Sequence, residues 1–249
     1  MKLAVISDIH GNSDALAATL DDIRGREIGT VVNLGDCFSG PFDAAATARL
    51  LRQNDVTTIS GNHDRALWEG PREDMGLWED WIIDDLSADD LDWLRALPKT
   101  LTVGDVYLCH ATPDNDEENW LDHRGSPTRL IARDLDEVQA RLGGVTAPVV
   151  CCGHTHTPRV VRLPSGQMIV NPGSVGCPAY YDTRVEPHFI HETGSPDARY
   201  AILEETASGW RADLVSVPYD SRRMAALARQ RGAESWARAV EVGWITGEV

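Results

Sequence analysis

Seven side chains of types that bind metal ions stand at the ends of apolar runs along this chain: Asp8, His10, Asp36, Asn62, His110, His154 and His156. They come in short groups. Asp8-Ile9-His10 and Gly35-Asp36 are followed by Gly61-Asn62-His63-Asp64, then by His110 after Val106-Tyr107-Leu108-Cys109, then by Gly153-His154-Thr155-His156. A carboxylate just past a strand-ending glycine, as at Asp36, is on its own more often a turn or a helix cap than a ligand. Repetition of the pattern changes the weighing. It sets Asp36 to bridge two metal ions while the other groups supply the remaining ligands. His154 and His156, one residue apart beyond a glycine, can reach different ions.

Such groups need a scaffold that delivers loops to one rim. Residues 3–7, 30–34 and 56–60 read as buried strands from their apolar, β-branched content. They alternate with helices at 14–24, where Leu16, Leu20 and Ile23 share a face, and at 42–53. This βαβαβ order implies parallel strands with right-handed crossovers, and ligands of such sheets bind at the carboxyl ends of the strands. The two-residue period of extended chain puts Asp8 and His10 on the same side. Strands at 100–103 and 106–109 flank the hairpin signal Gly104-Asp105. A helix over 127–142 is ended by Gly143-Gly144. Further strands read at 149–152, 159–163 and 167–171, with a hairpin of 199–205 and 210–217. One or two helices over 220–242 carry Met224, Leu227 and Ala228 on one face, either packed on the body or forming a contact in a homo-oligomer.

Residues 65–98 are acidic and rich in tryptophan (Trp68, Trp78, Trp81, Trp93), with Leu86, Leu91, Leu94 and Leu97 at helical spacing. They read as two or three helices whose tryptophans are core rather than ligand-stacking surface. The acidic loop 112–126 lacks the glycine an EF-hand requires, which rejects calcium. Residues 176–197 read as irregular, and His188 and His191, with no partner spacing, as solvated. Without a linker or a repeat, 1–249 is read as one domain, with 65–98 and 176–197 as cap-forming insertions.

The 249 residues carry a formal charge of −16, which excludes a nucleic-acid-binding surface. That charge is no bar to an anionic small molecule, because surface charge is screened beyond about 8 Å and bound cations dominate a local field. No apolar run reaches the roughly 18 residues of a membrane span. The N-terminal apolar run is short and ends in Asp-x-His, so it reads as a strand rather than a signal peptide, and the cytoplasm is the expected compartment. Five cysteines without framework spacing read as reduced and buried. Cys37, Cys109 and Cys152 flank ligand positions, but the ligand set is complete without them.

With these motifs in this order over positions 8–156, and Asn171-Pro172-Gly173-Ser174 beyond, the chain resembles the calcineurin-like metallophosphoesterases, nearest to the small bacterial group related to diadenosine tetraphosphatases and protein phosphatases. The resemblance implies an α/β fold: a four-layer α/β/β/α sandwich of two mixed β-sheets flanked by helices. It also implies that Asp8, His10 and His156 bind one divalent transition-metal ion, that Asp36 bridges, and that Asn62, His110 and His154 bind a second. Manganese is taken first, with iron, zinc, cobalt or nickel also suited to these ligands. A hydroxide bridging the ions would attack a phosphomonoester, phosphodiester or dinucleoside polyphosphate, with His63 as general acid or transition-state donor. Protein phosphatases of this superfamily place an Asp and an Arg shortly after the bridging carboxylate. Here Cys37-Phe38-Ser39-Gly40 follows, so Asp64, taken as catalytic beside His63, and Arg65 are candidates for those roles on proximity alone. The partner expected is a small-molecule phosphoester or nucleotide substrate. Two alternatives remain: a non-catalytic protein-binding scaffold that keeps the fold, and a zinc hydrolase of non-phosphate bonds, whose motif order does not match.

Overall fold

Alternation along the first strand sets the layers. In β1 (Lys2–Ile6), Leu3 and Val5 face one way and Ala4 and Ile6 the other, and all four are fully buried. A strand buried on both faces must lie between two other layers. The computed structural model describes residues 1–126, 129–182 and 188–246. After β1 come α1 (Ser13–Gly25), β2 (Val31–Asn33), α2 (Ala44–Gln53), β3 (Thr57–Thr58), α3 (Asn62–Ala66), α4 (Leu77–Asp80) and α5 (Ala88–Arg95). The middle of the chain forms β4 (Thr100–Val103), β5 (Val106–Cys109), β6 (Asp122–Ser126), β7 (Arg129–Ala132), α6 (Leu135–Ala140), β8 (Val149–Cys151), β9 (Arg159–Arg162) and β10 (Met168–Asn171). It closes with β11 (Ala179–Asp182), β12 (Phe189–Glu192), β13 (Ala198–Thr206), β14 (Gly209–Val217), α7 (Arg222–Gln230) and α8 (Glu234–Val242).

Two mixed sheets of five strands result, in the orders β14-β13-β1-β2-β3 and β4-β5-β8-β10-β9. They face each other across Leu3, Val5, Val32, Leu34 and Ile59 on one side and Val106, Leu108, Val149, Cys151, Met168 and Val170 on the other. Ala4 and Ile6 turn outward onto Leu16, Leu20 and Ile23 of α1 and Ala48 and Leu51 of α2. Val150 and Ile169 turn outward onto Trp120 and Val138 of α6. The architecture is therefore the four-layer α/β/β/α sandwich. No helix of the described residues is long and apolar enough to cross a membrane.

Two stretches depart from the sequence reading, and a third takes one of the alternatives it left open. The helix expected over 127–142 is helical only in α6, because β7 instead pairs antiparallel with β6; residues 127–128 lie outside the described residues. Within α6 only Val138 is buried, and its carbonyl accepts from Trp120 Nε1 at 2.9 Å. So short an apolar face cannot hold a longer helix. The segment 176–197, read as irregular, contains the antiparallel pair β11 and β12; its residues 183–187 lie outside the described residues. His191 there is buried rather than solvated, since the two-residue period puts it on the same face as buried Phe189, and burial pushes its pKa down to about 3. The C-terminal helices pack on the body: Met224, Ala225 and Ala228 of α7 and Trp236, Ala237 and Val240 of α8 cluster with Phe42 and Cys177.

One glycine pair holds β2 against the start of α3. Gly35 has φ +98°, and a Cβ there would lie 2.3 Å from the Gly61 amide nitrogen. Gly35→Ala is thus expected to destabilise the fold by about 3 kcal/mol or more. Denaturant unfolding checks this, and a change under about 1 kcal/mol would show that the turn has slack.

Candidate metal centre

The loops that leave the strands stay bonded to one another. Asp8 N–H donates to Gly35 O (3.0 Å), His10 N–H to Asp36 O (3.0 Å), Gly153 N–H to His110 O (2.7 Å) and Gly176 N–H to Asp8 O (3.2 Å). This lattice over-determines the backbone, and the backbone is strained. Asp8, His10, Asp36, His154 and His156 all have φ between +51° and +66°. Left-handed backbone costs an L-residue about 1–2 kcal/mol and persists where surroundings enforce it, often at functional sites. Asp8 and His10 are therefore not on extended chain as the two-residue period implied. They reach the same place through left-handed turns.

All seven sequence-predicted ligand residues converge. The ligating atoms of Asp8, His10 and His156 lie within 4.8 Å of one another, and so do those of Asp36, His110 and His154. Asp36 Oδ2 faces both groups, 3.2 Å from His110 Nε2 and 4.0 Å from His10 Nε2. Asn62 Oδ1 sits 3.1 Å from His110 Nε2 and 3.2 Å from His154 Nδ1.

Backbone carbonyls orient three of the rings. Nδ1–H of His10 donates to Ser39 O (2.7 Å), that of His110 to Leu34 O (2.8 Å) and that of His156 to Cys177 O (2.8 Å). Each Nε2 is thereby aimed inward, the outer-sphere arrangement typical of ligating histidines. His10 Nε2 then faces His156 Nε2 at 3.2 Å, and His156 Nε2 faces Asp8 Oδ1 at 3.3 Å. Lone pairs meet at such distances only around positive charge, so the donor set fits a cation. Burial disfavours charge on these imidazoles, but the Asp36 carboxylate pushes His110 up to about 10 and the Asp8 carboxylate pushes His156 well up. Burial and the neighbouring positive rings push His10 down to about 3 and His154 down to about 4. Asp8 is raised by burial but pulled down by His156 to a net value of about 2. Protons and divalent cations compete for the same nitrogens.

His63 sits beside the cluster. Its backbone N–H donates to Asp36 Oδ1 (2.9 Å), and its ring stacks on Trp78 with centroids 4.8 Å apart at 15°. Its Nδ1 lies 2.5 Å from Glu79 Oε1. Glu79, 3% exposed, was not singled out in the sequence. Burial raises its pKa, but the bond to His63 brings it below the usual carboxylate value. Asp64 occupies a different position from the one beside His63 expected of it. Its buried carboxylate accepts from the amides of Asp36 (2.8 Å), Cys37 (2.8 Å) and Gly61 (3.0 Å), clamping the ligand loops together. Arg65 is taken up by Asp116, Glu69 and Glu117. All five cysteines are buried free thiols, and none joins either group of ligating atoms.

Residues 1–194 match the family model described as the calcineurin-like phosphoesterase superfamily domain. The chain belongs to that superfamily. It is similar to a metallophosphoesterase from Sphaerobacter thermophilus, with 26% identity, a TM-score of 0.76 and coverage of 98% of this chain and 100% of that one. An uncharacterized protein of Methanocaldococcus jannaschii is 26% identical over 89% of each chain. A structure described as a candidate diadenosine tetraphosphatase shares the fold at 17% identity, with a TM-score of 0.52 over 87% of this chain and 94% of that one. Membership supports hydrolysis of phosphate esters and implies divalent metal ions, for which the two groups of donor atoms are candidate ligands.

Proposed function

We propose that the protein is a dinuclear metal-dependent phosphoesterase, with Asp8, His10 and His156 holding one divalent ion and Asn62, His110 and His154 the other. The observation that carries this reading is the Asp36 carboxylate lying between two groups of inward-aimed donor atoms. When bound, the ion pair supplies an acidified water and neutralises phosphoryl charge. The chain's own residues do the rest. Asp36 keeps Oδ2 toward both groups while the His63 amide engages Oδ1. His63 protonates the leaving oxygen, worth about 10²–10⁴-fold. Glu79 holds the imidazole in position and favours its charged form. Asp64 pins the loops of Asp36 and Gly61 and is a positioning residue. The chain acts as one domain, and the segments around α4 and β11 wall the approach to His63.

Turnover of a phosphoester panel, with metal analysis, tests the reading. A chelator is expected to abolish turnover and Mn²⁺ to restore it. Restoration should weaken as pH falls, because protons on His110 and His156 must leave before a cation binds. Metal bound without turnover of any ester would return the scaffold reading.

A further inference from the structure

A cavity of about 590 Å³ opens beside the ligand cluster, and Asn62 and His63 form its inner wall. Trp78, Trp81, Trp236 and Tyr181 supply much of the remaining lining. Trp78 carries His63 on one face and meets the edge of Trp236 at 4.7 Å and 85°, so the ring wall is continuous with the proposed proton donor. The charge of the lining is one-sided. Asp74, Glu79, Glu117 and Asp182 are carboxylates, and Arg65 is the single lysine or arginine among the described residues of the wall. Arg65 is itself outnumbered by Asp116, Glu69 and Glu117, while Glu79 is bonded to His63 and Asp182 to Arg124, which leaves the wall acidic on balance. His63, the proposed proton donor to the leaving alcohol, lines this space.

We infer that the substrate carries a single phosphate at the metal cluster, and that its alcohol half is a ring-bearing group without negative charge, held in the tryptophan-walled cavity. This deepens the phosphoesterase reading and rests on it. A flat ring packs against the aromatic wall. Among the described residues, a second phosphate or a carboxylate on the alcohol half would meet acidic side chains, and the nearby cations Arg65 and Arg124 are already held by carboxylates. Dinucleoside polyphosphates, whose remaining phosphates would occupy the cavity, are therefore poor substrates.

The test uses the Mn²⁺-loaded full chain and three esters: phenyl phosphate, 4-carboxyphenyl phosphate and 4-(trimethylammonio)phenyl phosphate. The double variant Asp74→Asn, Glu117→Gln is compared with wild type, so that intrinsic leaving-group differences cancel. We expect kcat/KM for the carboxylate ester, relative to phenyl phosphate, to rise about tenfold in the variant, and that for the cationic ester to fall. Titration with the three corresponding phenols, read by tryptophan fluorescence, is expected to give the same order of affinity without turnover. Equal ratios in both proteins, or faster cleavage of diadenosine tetraphosphate than of the phenyl esters, overturns the inference and leaves the phosphoesterase reading standing. No turnover of any ester overturns both.

Discussion

Asp36→Asn is expected to cost the protein its metals and its turnover together. The substitution keeps the size of the side chain, and its amide oxygen can still accept the His63 N–H bonded to Oδ1 in the native chain. What disappears is the negative charge at Oδ2, the one atom directed at both groups of donors. Without it His110 loses the charge that holds its pKa up to about 10, and the carboxylate proposed to join the two ions is gone. We expect turnover to fall by about 10³-fold or more, equivalent to about 4 kcal/mol of transition-state stabilisation. Elemental analysis should find the protein largely stripped while circular dichroism remains that of the native fold. A variant that keeps two ions and most of its activity would remove Asp36 from the bridging role.

His63→Asn should behave in the opposite way with respect to metal. Its side chain is outside both groups of ligating atoms, so both ions stay while kcat falls by about 10²–10⁴-fold. Glu79→Gln removes the charge beside Nδ1 but leaves an amide of the same shape. A loss of about 10–10²-fold is expected, since the imidazole can still be oriented but its charged form is no longer favoured. The decisive measurement is the double variant. If Glu79 acts through His63, the pair should be no slower than His63→Asn alone, a strong departure from additivity. Additive losses would make Glu79 a residue of general structural importance only. Full metal loss in His63→Asn would overturn the assignment of His63.

Much of this site was legible in the chain because its chemistry is carried by rare residue types at strand ends. Asp8, His10, Asp36, Asn62, His110, His154 and His156 each follow an apolar run, and the parallel order of the first strands brings such ends to one rim. The layers were equally legible, since doubly buried strands such as Leu3–Ile6 demand cover on both faces. Glu79 was not. It is one acid among Glu73, Asp74, Asp80 and Asp84, and only the path of α4 takes it to 3% exposure against His63. The carbonyls of Leu34, Ser39 and Cys177 that aim three histidines were hidden for a deeper reason: every residue has a carbonyl, and backbone acceptors leave no mark in a sequence.

Asp64 shows the same limit from the other side. Proximity to His63 in the chain suggested a shared role, yet in a helical turn the carboxylate is directed back at the amides of Asp36, Cys37 and Gly61. The stretch 127–142 failed through local ambiguity, because so short and polar a segment takes its conformation from its neighbours rather than from its own periodicity. Residue types and their spacing were enough to pick out the side chains that converge and to lay out the layers. The tertiary structure alone decided which carboxylate faces His63, which backbone atoms orient the imidazoles, and that an acidic, tryptophan-walled cavity opens beside His63. Those are relations between segments distant along the chain, set by packing and charge rather than by any local pattern.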